Sequence, residues 1–254
     1  MTPSDPKRGP AIEIPLPGLK DSDELTEVMP LLRKFLKAPE AGREIRNPHA
    51  ELPVSEDIKR NARPSAVLLP LVVRGDEATV LITKRQSHIR FGGHLCFPGG
   101  TVDAADTDAT EAALRETEEE IHLDAECVEV LGSLGDYYTQ AGYLIKPVVG
   151  LIEPPAFIQA NTDEVSEIYE IRLSDVLNSE SYKLTWHTRI RGHYAFENVA
   201  HACLSDHIEP DQSKIVFDTK IRVAGPTVSI LIGLYESLLA VSSRFISDAE
   251  FASG

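Results

Sequence analysis

Three glutamates, Glu116, Glu119 and Glu120, fall within about one 100° arc of a helix predicted over residues 109–121, whereas Glu118 points to another side. Like charges spaced three or four residues apart destabilise a helix by roughly 0.2–0.5 kcal/mol per pair. The last helical turn also disfavours carboxylates through the helix dipole. A hard cation such as Mg²⁺ prefers carboxylate oxygens and would reverse this balance. The pattern indicates a metal site, with a merely acidic, solvated helix face as the alternative.

The predicted helix has clear signals for its start and for its buried side. Asp108 and Glu111 have the spacing of a capping box, in which the carboxylate at the third helical position reaches back to the cap residue. Strong helix formers follow, without Gly or Pro. The stripe expected to pack on a sheet consists of Leu114, Thr117 and Ile121.

Two glycines, Gly99 and Gly100, follow Pro98 and precede the acidic helix. The Pro-Gly-Gly sequence predicts a tight turn whose backbone allows close approach of a ligand. By itself a Gly-Gly pair is an ordinary turn. Joined to the acidic helix by a short loop, it becomes part of a longer pattern.

Residues 97–123 as a whole resemble the Nudix box, the loop-helix motif of hydrolases that cleave nucleoside diphosphates linked to another group. The core of the box, Arg115-Glu116 followed by Glu119-Glu120, is intact. The departures are Asp106 in place of the first glutamate, one extra residue before Arg115, Thr117 in place of an aliphatic residue, and His122 in place of glycine.

Matching positions in the box imply roles for individual side chains. Glu116, Glu119 and Glu120 would hold one or more Mg²⁺ or Mn²⁺ ions on the diphosphate. Arg115 would orient the box through its carboxylate contacts, the alternative being an ordinary surface salt bridge. The general base would be Glu164 in "NTDEV", unless that residue is a solvent-exposed loop acid, and Glu119 is the second candidate.

Substrate contacts are expected just before the helix. Lys84, Arg85 and Arg90 lie upstream of the box and are candidates for binding the nucleotide phosphates. Gly99 and Gly100 are the candidates for close backbone approach to the substrate. Charged residues after a strand are also commonly only solvated, so the arginines have a purely structural alternative.

More of the chain, about residues 60–240, is similar to one branch of these hydrolases, the coenzyme A diphosphatases. The matching blocks are "AVLLPLV", "ATVLITKR", "LGDYYTQAGYLIKPVVGLIE", "NTDEV" and "RVAGPTVSILIGL". One block departs from that branch, because in "HIRFGGHLC" Phe91 stands where histidine is usual and His94 where glutamine is usual.

The resemblance implies an enzyme that splits coenzyme A or an acyl-coenzyme A into phosphopantetheine and adenosine 3′,5′-bisphosphate. The departing block keeps a second expectation open, namely the same chemistry on ADP-ribose, NADH or a dinucleoside polyphosphate. A non-catalytic nucleotide-binding regulator on the same fold is a third alternative. The intact glutamate set argues against this regulator.

The composition and net charge limit the classes of partner that the protein can bind. Of 254 residues, 42% are hydrophobic and 26% charged, the balance of a globular protein that builds a sizeable core. The net charge of −15 opposes general binding to nucleic acid. We find no apolar signal core at the start, and "TVSILIGLYESLLAV" is too short to span a bilayer. A small-molecule nucleotide is therefore the expected partner, with neither nucleic acid nor membrane.

Three scattered cysteines have no metal-site spacing and are typical of a reduced, cytoplasmic protein. The oligomeric state is left open, with a homodimer among the alternatives. We expect an N-terminal arm and helical extension over 1–60, with one helix near 21–37 and a connector over 38–64. The catalytic domain would span 61–246 and end in a helix over 226–245, and 247–254 would be a tail.

Strand-like runs before and after one central helix, with a terminal helix, predict an α/β (α+β) fold. The expected architecture is a Nudix-like mixed β-sheet sandwiched between helices. Within it, the sequence predicts hairpins at residues 74–77 and through Arg191-Gly192.

Overall fold

The computed structural model describes residues 54–75, 77–153, 156–185, 193–202, 207–208 and 218–238, and also Pro30, Arg33, Leu36, Glu44 and Ile45. The helices are α1 (Glu56–Arg60), α2 (Ala109–Ile121), α3 (Leu173–Val176) and α4 over residues 226–238. The strands are β1 (Arg63–Arg74), β2 (Glu77–Arg85), β3 (Leu95–Cys96), β4 (Gly99–Thr101), β5 (Val128–Ser133), β6 (Tyr137–Tyr138), β7 (Tyr143–Ile152), β8 (Ala156–Phe157), β9 (Val165–Arg172), β10 (Tyr182–Thr185), β11 (His193–Ala202), β12 (His207–Ile208) and β13 (Asp218–Val223).

One large sheet contains most of these strands, in the order β10–β11–β9–β2–β1–β7–β5. Four more strands attach to it, because β13 pairs with β11, β3 with β2, β4 with β1 and β6 with β7. The pair β1–β7 is parallel, and the other described pairs are antiparallel. The sheet is therefore mixed, as predicted.

Helices cover both faces of this sheet. Along β1, successive side chains alternate between two apolar clusters. Leu69 packs in the cluster that contains Leu231 of α4, and Leu68 packs in the cluster that contains Ala113 of α2. The predicted sheet between helices is confirmed.

Several strand ends meet at one end of the sheet. Ser65, at the start of β1, is the register partner of Thr101 in β4 and of Ile145 in β7. Arg85, at the end of β2, pairs with Val165 at the start of β9. The two glycines and the segments before β7 and β9 are thereby gathered beside the end of β2.

The predicted Pro-Gly-Gly turn is wrong, because Gly99 and Gly100 lie in strand β4 and pair with Val67 and Ala66. Gly99 has φ 147°, and a Cβ there would lie 2.3 Å from the Ala66 carbonyl oxygen. Glycine is thus required here for the close approach of two backbones.

Other predictions have mixed outcomes. The hairpin at 74–77 is confirmed by the pairing of Arg74 with Glu77. The predicted connector over 38–64 contains helix α1, whose N-cap is Ser55. β10 pairs antiparallel with β11, as the second hairpin requires, although its turn lies outside the described residues.

Parts of the predicted terminal segments also lie outside the described residues. Of the helix expected near 21–37, Pro30, Arg33 and Leu36 are described and helical. The arm over 1–20, residues 239–245 of the last predicted helix, and the tail over 247–254 are not described. Among the described helices, none is long and apolar enough to cross a membrane.

We expect Gly99→Ala to lower the free energy of unfolding by at least about 3 kcal/mol, because the added methyl group meets backbone atoms that cannot move independently. Gly75→Ala is the matched control, since Gly75 has φ 62° but no atom within 4 Å of the added Cβ. It should cost only about 1–2 kcal/mol. Chemical denaturation of both variants measures this difference. Equal losses would show that the approach of β4 to β1 does not constrain the fold.

Candidate active site

Helix α2 begins at a well-defined cap. The Asp108 carboxylate accepts hydrogen bonds from the backbone N–H groups of Thr110 and Glu111, at 2.7 and 2.9 Å. Glu111 reaches back, but to Thr107, whose N–H and hydroxyl each donate to it at 2.6 Å. The capping-box prediction is therefore right about Asp108 as the cap residue. It is wrong about Glu111, whose carboxylate binds Thr107, one residue before the cap, and not Asp108.

The predicted sheet-facing stripe of α2 is confirmed. Thr117 and Ile121 are buried, and Leu114 packs partly buried against the same cluster. The Thr117 hydroxyl donates to the Ala113 carbonyl oxygen at 2.6 Å, so a polar residue is satisfied where the resembled motif has an aliphatic one.

The end of α2 is formed by His122, where the resembled motif has glycine. His122 adopts the left-handed conformation with φ 53°, and its N–H donates to the Glu118 carbonyl oxygen at 2.9 Å. This conformation costs a residue with a Cβ roughly 1–2 kcal/mol. The His122 Nδ1 atom lies 2.8 Å from the Gln159 carbonyl oxygen, a contact that glycine could not make.

The loop before β9 binds the final carbonyl groups of α2. The Gln159 N–H donates to Ile121, and the Asn161 N–H donates to Glu120, each at 2.8 Å. The Asn161 side chain donates to the Glu119 carbonyl oxygen at 3.1 Å. Sequence reasoning missed both residues. The unsatisfied carbonyl groups at a helix end were the available signal, but they do not identify which loop will satisfy them.

Glu120 is the most buried of the box carboxylates, with 2% of the residue exposed. Its two oxygens have only long contacts, at 3.4 Å from Arg85 Nη1 and 3.4 Å from the Gly99 N–H nitrogen. Burial, together with the charges of Glu164 and Glu116, raises the pKa of Glu120 to about 7, against the opposing effects of Arg85 and the Gly99 N–H. The fold therefore holds a carboxylate whose charge is poorly compensated.

Glu116 lies against the other glycine of β4. A Cβ added at Gly100 would lie 2.4–2.5 Å from the atoms of the Glu116 carboxylate, so this carboxylate occupies the space that a side chain would need. Burial raises the pKa of Glu116, Arg115 opposes that shift, and the charges of Glu119 and Glu164 add to it. Glu116 and Glu120 thus face the two glycines together.

Glu119 is exposed, and its carboxylate lies 3.3 Å from Arg115 Nη1. Glu118 is also exposed, on the side that the helical phase predicts. Within the described part of the chain, no three histidine, cysteine, aspartate or glutamate side chains are close enough together to hold a metal ion as they stand. The metal roles of Glu116, Glu119 and Glu120 therefore stay predictions.

Arg115 binds several groups of the site at once. Its Nε and Nη2 atoms donate to the two oxygens of Asp106 at 2.9 and 3.0 Å, and its Nη1 atom donates to Glu116 at 3.1 Å. Its Nη2 atom also lies 3.3 Å from the Thr101 carbonyl oxygen. The hydrogen bonds from Arg115 lower the pKa of Asp106. Arg115 therefore connects the loop before α2, strand β4 and helix α2 through its hydrogen bonds. The sequence alone did not predict that Asp106 binds Arg115.

The charge of Glu164, the candidate general base, raises the pKa of both Glu116 and Glu120, which indicates that its carboxylate lies near theirs. Both backbone polar groups of Glu164 form hydrogen bonds. Its carbonyl oxygen accepts from the Gln86 N–H at 2.7 Å, and its N–H donates to the Asn161 carbonyl oxygen at 3.0 Å. We find no hydrogen bond or ion pair of its carboxylate with any described residue. Its role as the base stays a prediction.

The two candidate phosphate-binding arginines differ in their surroundings. Arg85 contacts Glu120, and its Nε atom donates to the Arg90 carbonyl oxygen at 3.3 Å. Arg90 donates to the Tyr143 hydroxyl at 2.9 Å, and its guanidinium lies 4.8 Å from the centre of the Phe91 ring. Arg85 thus compensates a carboxylate, whereas Arg90 points to an aromatic pair.

The side chains of the site fit a divalent cation. Glu116 and Glu120 supply hard carboxylate oxygens, and Glu120 has no close hydrogen-bond donor among the described residues. Glu116 is held in a space that opens only because residue 100 is glycine. Glu116, Glu120 and the exposed Glu119 therefore stay the predicted ligands of Mg²⁺ or Mn²⁺.

The sequence is similar to that of known proteins. The NUDIX domain family profile matches residues 62–187. A Photorhabdus laumondii protein with the name "Uncharacterized Nudix hydrolase NudL" is 38% identical over 131 residues, which cover 51% of this chain and 70% of that protein. Its namesake from Escherichia coli (strain K12) is 42% identical over 123 residues, which cover 48% of this chain and 64% of that protein. The chain thus spans slightly less than two thirds of the second relative.

Among solved structures, a C. elegans Ap4A hydrolase binary complex is similar to this chain, with 22% sequence identity and a TM-score of 0.37. The similarity covers 44% of this chain and 83% of that one.

We expect Gly100→Ala to leave the fold largely intact but to displace the Glu116 carboxylate, because a flexible side-chain end can move where backbone cannot. Turnover should fall on the order of 10²-fold, the scale of a 1 Å misplacement at a reacting centre. Thermal melting and steady-state kinetics in excess Mn²⁺ would separate the two effects. Normal turnover in a folded Gly100→Ala protein would contradict the placement of Glu116.

Proposed function

The chain belongs to the Nudix hydrolases, enzymes that act on pyrophosphate bonds, and on that premise we propose that it cleaves the diphosphate of coenzyme A or an acyl-coenzyme A. The products would be phosphopantetheine and adenosine 3′,5′-bisphosphate. The coenzyme A assignment is supported by the sequence blocks outside the box, which are similar to the coenzyme A diphosphatase branch.

The observation that carries the chemistry is the placement of two carboxylates, the buried Glu120 and the partly buried Glu116, against the glycine strand β4. Burying the charge of Glu120 is costly, because its nearest donors among the described residues are 3.4 Å away. Glu116 adds a like charge beside it, so the two carboxylates together do not stabilise the metal-free fold. They do have the chemistry to hold a cation against an anionic diphosphate. This supports a metal-dependent hydrolase rather than a non-catalytic regulator.

A divalent metal, when bound, neutralises phosphate charge and makes a water molecule a stronger nucleophile. The protein must then accept the proton that the attacking water loses. Glu164 suits this task better than Glu119, because Glu119 already accepts from Arg115, whereas the Glu164 carboxylate has no described partner. Arg115 and Asp106 keep the α2 carboxylates in position during the reaction.

Arg85 would limit the charge of the site during substrate binding. Its guanidinium lies between the buried Glu120 carboxylate and the loop that follows β2. As the substrate diphosphate enters, this cation can share its charge with a phosphate oxygen without leaving its hydrogen bond to the Arg90 carbonyl. We therefore expect Arg85 to offset the charge of Glu120 in the empty site and to bind a phosphate oxygen as well when substrate is present.

A second candidate is the same reaction on another nucleoside diphosphate derivative, such as ADP-ribose, NADH or a dinucleoside polyphosphate. The observation that favours it is the departure of the loop before β3, where Phe91 and His94 replace the usual residues of the coenzyme A branch. This loop lies beside Arg85 and therefore beside the site.

A hydrolysis screen decides between these substrates. Coenzyme A, acetyl-coenzyme A, ADP-ribose, NADH and a dinucleoside polyphosphate would be incubated with the protein in Mg²⁺ and in Mn²⁺, with products identified by mass spectrometry. We expect coenzyme A species to have the highest kcat/KM. A preference of tenfold or more for any other substrate would overturn the assignment.

We expect Glu120→Gln to lower kcat on the order of 10²-fold or more, because it removes a charge that acts in the transition state, a loss comparable to that of an oxyanion donor. The fold should persist, since the amide keeps the shape of the side chain and relieves a buried charge. Glu118→Gln is the matched control, two residues away on the exposed side of α2. Equal losses in both variants would show that the helical phase assigned to the site is wrong.

A further inference from the structure

The loop after β2 is a compact structure closed by its own backbone. The Arg85 N–H donates to the His94 carbonyl at 3.0 Å, and the Gly93 N–H donates back to the Arg85 carbonyl at 2.9 Å. Within the loop, the Gly92 N–H donates to Ile89 at 3.0 Å. A side chain at Gly92 would lie 2.5 Å from a backbone oxygen, so the loop is tightly closed. Its residues are therefore presented in a defined arrangement.

Phe91, at the tip of this loop, combines strain with exposure. It has φ 59°, which is unfavourable for a bulky side chain, and it is 50% exposed. His122 is the other described non-glycine residue with positive φ, and its conformation is explained by the end of α2. Phe91 does not end a helix, and half of it is exposed, so neither a helix end nor burial in the core explains its conformation. Strained residues that the surrounding structure holds in place occur preferentially at ligand-binding sites.

Arg90 is the cation next to this ring. Its guanidinium lies 4.8 Å from the centre of the Phe91 ring and 5.7 Å from that of Tyr143, and it donates to the Tyr143 hydroxyl. No carboxylate of a described residue forms an ion pair with Arg90. Arg85 and Arg115, the other arginines near the site, both contact carboxylates. Arg90 is thus a positioned positive charge in a strongly acidic protein, with its charge available to an anion.

The position of Arg90 relative to Glu120 indicates which part of a substrate it could contact. The backbone of Arg90 lies beside the site, since Arg85 contacts Glu120 with one nitrogen and the Arg90 carbonyl oxygen with another. Tyr143 begins β7 at the same end of the sheet as β4. The Arg90 guanidinium contacts Tyr143 and not a carboxylate of α2, whereas Arg85 contacts Glu120. Arg90 is placed for an anionic group outside the diphosphate that is cleaved.

We propose that Arg90, Phe91 and Tyr143 form a nucleotide-recognition platform, on which Arg90 binds a phosphate of the substrate outside the scissile diphosphate and Phe91 stacks on the nucleobase. Tyr143 is a positioning residue that holds the guanidinium. Base stacking on an aromatic ring and pairing of arginine with phosphate are both favourable beside an otherwise acidic site. The platform rests on the proposed function, because coenzyme A carries such a phosphate on its ribose.

The test compares coenzyme A with 3′-dephospho-coenzyme A, which differ only in that phosphate. We expect wild type to prefer coenzyme A by about tenfold or more in kcat/KM, the value of a charge-assisted hydrogen bond. Arg90→Gln should bring the two substrates within about twofold of each other. Phe91→Leu should raise KM for both substrates about fivefold or more. Arg222→Gln, which removes one exposed arginine on β13, is the control and should change neither value.

Binding of adenosine 3′,5′-bisphosphate and of AMP, measured by calorimetry, needs no turnover and separates the platform from the proposed reaction. We expect the bisphosphate to bind more tightly to wild type and equally with AMP to Arg90→Gln. If coenzyme A is cleaved but Arg90→Gln keeps both preferences, the platform is overturned and the proposed function stands. If coenzyme A is not cleaved, the proposed function fails, and an unchanged binding difference between wild type and Arg90→Gln would overturn the platform as well.

Discussion

Two carboxylates, the buried Glu120 and the partly buried Glu116, lie against a strand of glycines, and much of the structure near the site follows from that constraint. Repulsion and loss of hydration both oppose the arrangement, as the raised pKa values of the two side chains show. Gly100 leaves the space that Glu116 fills, and Gly99 lets β4 approach β1 closely enough to form that surface. Glycine is therefore needed at both positions for different reasons.

A charge arrangement that opposes folding must be held from several sides. Arg115 links the loop before α2 to the helix through Asp106 and Glu116. At the other end of α2, Asn161 binds the last carbonyl groups and so fixes the loop that carries Glu164. The same contacts that close the helix thus bring a further carboxylate to the site. The loop before β9 satisfies the last carbonyl groups of α2, and Gly100 of β4 leaves space for the Glu116 side chain of α2. The helix, the glycine strand and the loop therefore depend on one another.

The sequence allowed a correct prediction of the mixed sheet between helices, because the alternation of buried residues and the helix-forming run around the glutamates are local signals. The helical phase also separated Glu120, which is buried, from Glu118, which is exposed. Pairing across the chain is not a local signal. The strand conformation of Gly99 depends on Ala66 and Val67, which a reading of Pro-Gly-Gly as a turn does not contain.

The same limit applies within the site. Asp106 was noticed as a departure from a motif, but its bond to Arg115 depends on the fold of the intervening loop. Arg85 was assigned to phosphate binding on its position before the box, and the structure adds that it already contacts Glu120. The aromatic surroundings of Arg90 depend on Tyr143, which is more than fifty residues away in the sequence. Three-dimensional contacts of this kind decide what each charge can do.

Thermal unfolding of wild type and Glu120→Gln, each in chelator and in excess Mn²⁺, tests most directly whether the buried carboxylates are held for a metal. Binding to the native state alone stabilises it by roughly 2.7 kcal/mol at a hundredfold excess over Kd. The account predicts that Mn²⁺ raises the wild-type melting temperature. It also predicts that Glu120→Gln melts higher than wild type in chelator and gains much less from Mn²⁺. A wild-type melting temperature that does not respond to Mn²⁺ would contradict it and favour an acidic helix with no metal role.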